Sequence, residues 1–414
     1  MSHYGKIALI LLGLVLNACS ISPPQPVDTS PTIPVIAIPN TNVTLTPFQP
    51  APKTTKIIQT PNPLPTETQT PTPVSFGPTN FPENVNPLTG LYVSNLENLQ
   101  RRPVAVKVNI VPRRNARPPW GLSYADIVYE FYQNAGYSRF HAIFHSQDAD
   151  LVGPIRSARM FDGALVRMYK SIFSYAGADS IIESRLLNSE YSSRLVREIS
   201  YRSLCPPTST RPLCRYDPGG NNFLLGGTSQ LHDYIINRGV QDGSQNLDGM
   251  FFHSEVPDDG IQGQEIVIRY SIDMYNLWEF DSETGQYLRY QDNLLLNYGQ
   301  TEQFVPLIDQ LNDQQITTTN VVVLFASHSR IQSPPAEIID INLNGSGKAI
   351  AFRDGFAYEL LWQHPKADDV LYLTFPEGYL YPLKPGTTWF QIIGVSSQMT
   401  QPNETSWRFV YSFP

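Results

Sequence analysis

Between residues 264 and 394 the chain is a succession of short alternating runs broken by turn residues, which restricts its second half to β structure. The runs cover 264–271, 275–280, 286–291, 320–326, 337–344, 348–353, 357–363, 370–375 and 388–394. Thr284-Gly285, Asn344-Gly345 and Asp354-Gly355 supply turns between them, and such punctuation predicts a sandwich or barrel-like domain built from hairpins. The first half mixes two periods. Residues 103–110, 126–132 and 139–145 alternate as strands, while 155–175, 183–200 and 229–238 carry helical spacing. The expected class is α+β, with a mixed α/β domain over 83–255 and an all-β domain over 256–414.

Neither pattern extends upstream. Residues 20–82 hold 16 Pro and 13 Thr, with only Asp28, Lys53, Lys56 and Glu67 charged. Too little apolar surface is present to offset the entropy of ordering, and proline favours extended polyproline II, so a disordered stalk is expected. Before it, Lys6 precedes an apolar run from Ile7 to Leu16 and then Asn17-Ala18-Cys19. That is the form of an export signal, and the run falls short of the roughly twenty residues that span a bilayer. Cys19 sits where a lipobox cysteine would be acylated, making 1–19 a lipoprotein signal peptide and placing the chain outside the cytoplasm on the cell membrane. A plain secretory signal is the alternative, because Asn17 is unusual at its position. The remaining cysteines, Cys205 and Cys214, close a ten-residue loop. In an oxidising compartment they are most simply a disulfide worth about 2–3 kcal/mol, with two free thiols as the alternative.

Charge divides the two halves. Residues 83–255 carry 18 basic side chains, 16 of them arginine, against 16 acidic ones, whereas 256–414 carry 8 against 19. Either the halves attract one another or the first presents an anion-binding surface. The sharpest local signal is Gly153-Pro-Ile-Arg-Ser-Ala-Arg159. Pro154 suits a first helical position, which would put Arg156 and Arg159 on one face of the first turn, against the helix dipole. Two cations there call for an anion. It is either a ligand's phosphate or carboxylate, or an internal partner among Asp126, Glu130 and Asp162. Arg113, Arg114 and Arg117 beside Trp120 and Tyr124 could stack on an anionic sugar, although an exposed loop has the same composition.

His141 and His145 stand four apart on a predicted strand, about 13 Å from each other, so no shared metal is expected. Asn344-Gly-Ser-Gly-Lys348 lacks the glycine and hydroxyl positions of a phosphate loop and reads as a hairpin turn. No nucleophile elbow, zinc helix or dinucleotide fingerprint is present. No cofactor and no nucleic-acid partner are expected.

Several longer motifs follow one another in order. They are Asn86-Pro-Leu-Thr-Gly90, Arg102-Pro-Val-Ala-Val106, the run from Ala116 to Glu130, Arg139-Phe140, Gly153 to Arg159, Thr319 to Val323 and Lys384-Pro-Gly-Thr-Thr-Trp389. In this order they resemble the YerB-type lipoprotein family, over about residues 83–394. The resemblance implies an anchored envelope lipoprotein with an α/β N-terminal and a β-rich C-terminal domain. It carries no catalytic residues over. Where members have Pro-His-Asn, this chain has Gly220-Asn221-Asn222, which weakens any catalytic reading that needs the histidine.

The expected function is therefore non-catalytic binding of an anionic envelope component. Arg156, Arg159, Arg117, Trp120, Tyr124, Asp126 and Glu130 are the candidate ligand residues. Two rival readings are an envelope enzyme acting on glycan or peptide, with Asp126, Glu130 or His141 as acid or base, and a scaffold for another envelope protein.

Overall fold

Alternating apolar residues produce sheets, and their burial on one face or both decides how the sheets stack. The computed structural model describes residues 74–197, 203–217, 219, 223–293 and 302–413. Cys19, the export signal and most of the stalk fall outside them, as do Asn221 and Asn222.

The first half comprises strands β1 (Val104–Val108), β2 (Ile127–Asn134) and β3 (Tyr137–Phe144), helix α1 (Met160–Met168), β4 (Ile172–Tyr175), α2 (Ser180–Leu187), β5 (Leu195–Arg197), β6 (Leu213–Arg215), β7 (Leu224–Gly226) and α3 (Thr228–Ile236). The second half adds β8 (Glu265–Ser271), β9 (Met274–Asp281), β10 (Gln286–Asp292), β11 (Asn320–Gln332), β12 (Ile338–Asn342), β13 (Gly345–Arg353), β14 (Phe356–His364), β15 (Tyr372–Thr374), β16 (Thr388–Gly394) and β17 (Ser406–Val410). Shorter strands fill the connections.

One mixed sheet runs in the order β14-β13-β11-β16-β2-β3-β1-β4-β5. Its middle strand β16 lies parallel to β11 on one side and to β2 on the other. The α/β half and the β half therefore share a continuous sheet, although their sequences change character near residue 256. A second sheet, β10-β9-β8-β17, covers part of one face. Ile266, Ile268, Trp278 and Phe409 of this second sheet pack with Val106, Val128, Phe140 and Trp389 of the first. The opposite face carries α1 and α2, with Phe161, Leu165 and Ile182 against Tyr129, Phe131, Phe173 and Phe390. Strands covered on both sides read as nearly unbroken apolar runs, as Val321-Val-Val-Leu324 does.

The charge asymmetry between the halves is used across this shared body. Arg113 and Arg117 pair with Asp292, Arg167 with Asp368, Arg185 with Asp340, and Glu130 with Arg289. Cys205 and Cys214 form a disulfide with Cα atoms 4.8 Å apart.

Four expectations need correction. The segment from Gly153 to Arg156 is extended, not helical. Asn109 N donates to Pro154 O at 2.9 Å and Arg156 N to Lys107 O at 3.0 Å, so strand β1 takes the backbone groups a helical turn would need. Helix α1 begins only after Arg159, where Asp162 Oδ2 accepts from Arg159 N at 2.6 Å. Likewise 183–200 is not one helix, since α2 ends at Leu187 and β5 follows at Leu195. The body begins inside the stretch assigned to the stalk, because Ser75 and Phe76 pair with His253 and Phe252. Finally, the Asn344-Gly345 turn joins β12 and β13, which both pair with β11 and not with each other.

Candidate cationic site at the sheet edge

Strands β1, β4 and β5 are mutually parallel, so their carboxyl ends open on one edge, where α1 and α2 begin. Crevices of this kind are where open α/β sheets hold ligands. The antiparallel strand β3 brings its first residues to the same edge, and with them Arg139.

Pleating then sorts the side chains. In the pairing of β1 with β3, Lys107 lies opposite His141, which itself lies opposite Tyr129 of β2. Arg156 is drawn beside Lys107 by the bond between their main chains. Helix α1 lowers Asp162 onto this row. Lys107 Nζ reaches Asp162 Oδ1 at 3.0 Å, and His141 Nδ1 reaches the same oxygen at 2.8 Å. All three side chains are fully buried. Lys107 also stands 3.7 Å over the Phe131 ring.

Around this core the charge is one-sided. Arg139 donates from Nε to Asn109 Oδ1 and from Nη1 to Ser157 O, both at 3.1 Å. Arg159 donates to Ala158 O at 3.0 Å, Ser157 O at 3.4 Å and Asn134 Oδ1 at 3.4 Å. These acceptors are all uncharged. Among the described residues, neither Arg139 nor Arg159 has a carboxylate within ion-pair distance. Burial, with the charges of Arg159 and Arg156 added, pushes the Arg139 guanidinium down to about 9. Burial, with the charges of Arg139 and Arg159 added, likewise brings Lys107 down to about 7 against the pull of Asp162. Burial pushes Asp162 up, but the Lys107 charge and the His141 bond outweigh that and hold it below the usual carboxylate range. Burial is the leading cause for both cations, Lys107 and Arg139, and the neighbouring arginines add to it.

The other candidate residues lie elsewhere. Arg117 does not face a ligand. It donates to both Asp292 oxygens at 3.0 Å, to Asp292 O at 2.7 Å and to Ile110 O at 3.0 Å, tying the first half to β10. Trp120 pairs its backbone with Gly153 and sets its ring 6.1 Å from that of Tyr216. Tyr124 packs against the second-sheet side of the core. Asp126 accepts from Asn86 Nδ2 at 2.9 Å, His145 N at 2.6 Å, Ser146 N at 2.9 Å and the Ser146 hydroxyl, an internal staple. Burial pushes its pKa up nonetheless. Glu130 is enclosed between the two sheets by Arg289, Ser138, Gln391 and Trp389. Asp126, Glu130 and His141 thus belong to three separate networks, and His145 joins that of Asp126.

Arg156 and Arg159 do share the sheet edge, on an extended segment in place of a helical turn. Sequence spacing alone does not single out Arg139 or Lys107. The available signal was alternation, since Arg139 and His141 share a strand face and Asp162 follows Arg159 by three.

Together these features define a two-part protein, α/β then β, whose parts share a sheet and whose Gly153–Arg159 and Arg139-Phe140 motifs meet at one cationic edge. Residues 88–212 match "Protein of unknown function (DUF3048) N-terminal domain" and residues 266–390 match the corresponding C-terminal domain. The chain belongs to this DUF3048 family and carries both of its domains. It is similar to "Putative lipoprotein YerB" of Bacillus subtilis (strain 168), at 29% identity over 318 residues, 74% of this chain and 85% of that one. The crystal structure of YerB protein from Bacillus subtilis superposes with a TM-score of 0.60 at 24% identity, over 75% of this chain and 96% of that chain, a likeness of fold.

Proposed function

We propose that this protein is an envelope lipoprotein that holds an anionic group, a phosphate or carboxylate of a cell-envelope component, at the edge formed by Arg139, Arg156 and Arg159. One observation carries the reading. Asp162 gives Oδ1 to Lys107 and His141 and Oδ2 to the Arg159 main chain, while the guanidiniums of Arg139 and Arg159 rest on uncharged oxygens. Guanidiniums pair best with planar or tetrahedral oxyanions, in charge-assisted bonds about twice as strong as neutral ones.

Changing Arg139 and Arg159 together to alanine relieves crowding between like charges. The melting temperature is expected to stay unchanged or rise slightly. Inorganic phosphate should raise the wild-type midpoint, by about 2.7 kcal/mol of stability at a hundredfold excess over Kd, and leave the double variant unmoved. A variant melting ten degrees lower, or a wild type indifferent to phosphate, sulfate and carboxylates alike, would defeat the reading.

Anchoring is the second part of the proposal. The apolar run ending at Cys19 supports it, as does the lipoprotein name of the Bacillus relative. One acyl group binds membranes only marginally, and stable anchoring takes two signals. A diacylated Cys19 should therefore hold the chain in the membrane fraction, and Cys19→Ser should release it. Identical partitioning of the two forms counts against lipidation.

A further inference from the structure

A fully buried lysine behind a row of arginines holds a proton whose charge bears on all of them. Among the described residues the Lys107 ammonium has one anionic partner, Asp162 Oδ1 at 3.0 Å. The Phe131 ring of β2 lies 3.7 Å from the same nitrogen.

Charged and titratable groups meet Lys107 from every element packed on it. Asp162 comes down from α1. Strand β3 brings His141, opposite Lys107 in the pairing, and Arg139 two residues earlier on the same face, about 7 Å along the strand. The extended segment brings Arg156, whose main chain bonds that of Lys107, and Arg159. Strand β4 ends in Tyr175, one residue past the pairing of Val106 with Ser174, and Glu183 of α2 stands beside that hydroxyl. Tyr129 of β2 is bonded to Tyr169 at 2.7 Å. Burial pushes all three tyrosines up, so they keep their protons. Burial pushes His141 down, which leaves its ring neutral with the Nδ1 proton on Asp162. Lys107, brought down to about 7, is then the member of this set whose charge changes near neutrality.

That charge decides what the carboxylate does. With Lys107 protonated, Asp162 has its counterion within hydrogen-bonding distance. With Lys107 neutral, the negative charge of Asp162 is unmatched there, and it attracts Arg139 and Arg159, which both feel it. Such attraction is screened far less in a protein interior than in water. An anion arriving from outside then competes with Asp162 for the same two guanidiniums.

We propose that Lys107 is a proton switch on the arginine edge: charged, it pairs with Asp162 and frees Arg139 and Arg159 for an external anion, and neutral, it gives Asp162 over to them and the anion leaves. The switch rests on the anion-binding reading above and adds its regulation. Binding and protonation are reciprocal, so the anion must favour the lysine proton by the factor that the proton favours the anion.

Sulfate is the probe, because it stays doubly charged throughout the range whereas phosphate titrates within it. Calorimetry on the whole protein at pH 6, 7 and 8.5, each in two buffers of different ionisation enthalpy, reads affinity and proton uptake together. Affinity should fall about tenfold from pH 6 to pH 8.5, with protons taken up on binding near pH 7. Lys107→Met fixes the neutral state and should bind sulfate at every pH as weakly as wild type does at 8.5. The ¹³Cε resonance of Lys107 in wild type tests the same point without a variant that must fold. It should titrate near neutrality and move its midpoint upward when sulfate is added. An affinity equal at pH 6 and 8.5 with no proton uptake, a Lys107→Met variant with the wild-type pH slope, or a resonance whose midpoint ignores sulfate would overturn the switch and leave anion binding standing. Sulfate bound at no pH would remove the anion-binding reading itself, and the switch with it.

Discussion

Replacing Glu130 by alanine should lower stability by roughly 3–5 kcal/mol, on the order of ten degrees in melting temperature. Glu130 and Arg289 are fully buried and 2.9 Å apart between the two sheets. The guanidinium stands 4.9 Å over the Trp278 ring and 5.1 Å over that of Trp389. Glu130 also accepts from Ser138 at 2.7 Å and Gln391 at 3.0 Å. Removing the carboxylate strands a cation in a dry interior, and burial already disfavours the charged form of Arg289. Removing both charges is a different experiment. A Glu130→Leu, Arg289→Met double variant has no stranded ion, and buried pairs exchanged for apolar residues are often neutral or better. Chemical denaturation of the single and double variants checks both statements. A single variant as stable as wild type would mean the pair is not closed off from solvent as described.

Acid should weaken the fold well before its carboxylates protonate. Burial pushes His145 and His328 down to about 4 from an ordinary 6.5. His145 Nδ1 lies 3.3 Å from Asn86 Oδ1 and His328 Nδ1 2.9 Å from Ala326 O, and neither Nε2 has a partner among the described residues. In the unfolded chain both rings take up a proton near 6.5, whereas folded they do so only near 4. Between those values the unfolded state binds more protons, so stability rises with pH and is lost as pH falls. Each ring contributes about 3 kcal/mol across that window. Denaturant midpoints measured at pH 6.5, 5.5 and 4.5 should fall steadily, and His328→Phe should flatten the slope by about half. A midpoint constant over that range would contradict the neutral assignment of both rings.

What was legible in the sequence follows from the range of the forces involved. Strand β16 is legible with its observed bounds, 388–394, because a strand buried on both faces is mostly apolar, here Trp389, Phe390, Ile392 and Ile393 around Gln391. Helix α3 was found nearly to its ends for the analogous reason at helical spacing. The segment after Gly153 was misassigned because helical start signals are local, while the competing bonds come from β1, forty-five residues earlier. Tertiary pairing outweighs a proline's preference for a first helical turn. The same holds for the ion pairs. Arg117 looked available because its partner Asp292 lies in the other half, and Glu130 looked like an acid because Arg289 does too. Only the edge cluster was partly visible, since Arg156 and Arg159 sit three apart on one short segment. Alternation puts Arg139 on the same strand face as His141, but only sheet pairing brings that face to the cluster.

The claim on which the functional reading rests is that the guanidiniums of Arg139 and Arg159 face an oxyanion from outside the chain. Crystals soaked in selenate and measured at the selenium edge test it directly. An anomalous peak within hydrogen-bonding distance of both guanidiniums is predicted, absent in the double alanine variant. Density instead showing a carboxylate of the chain itself against these arginines, with no selenate peak, would contradict the account.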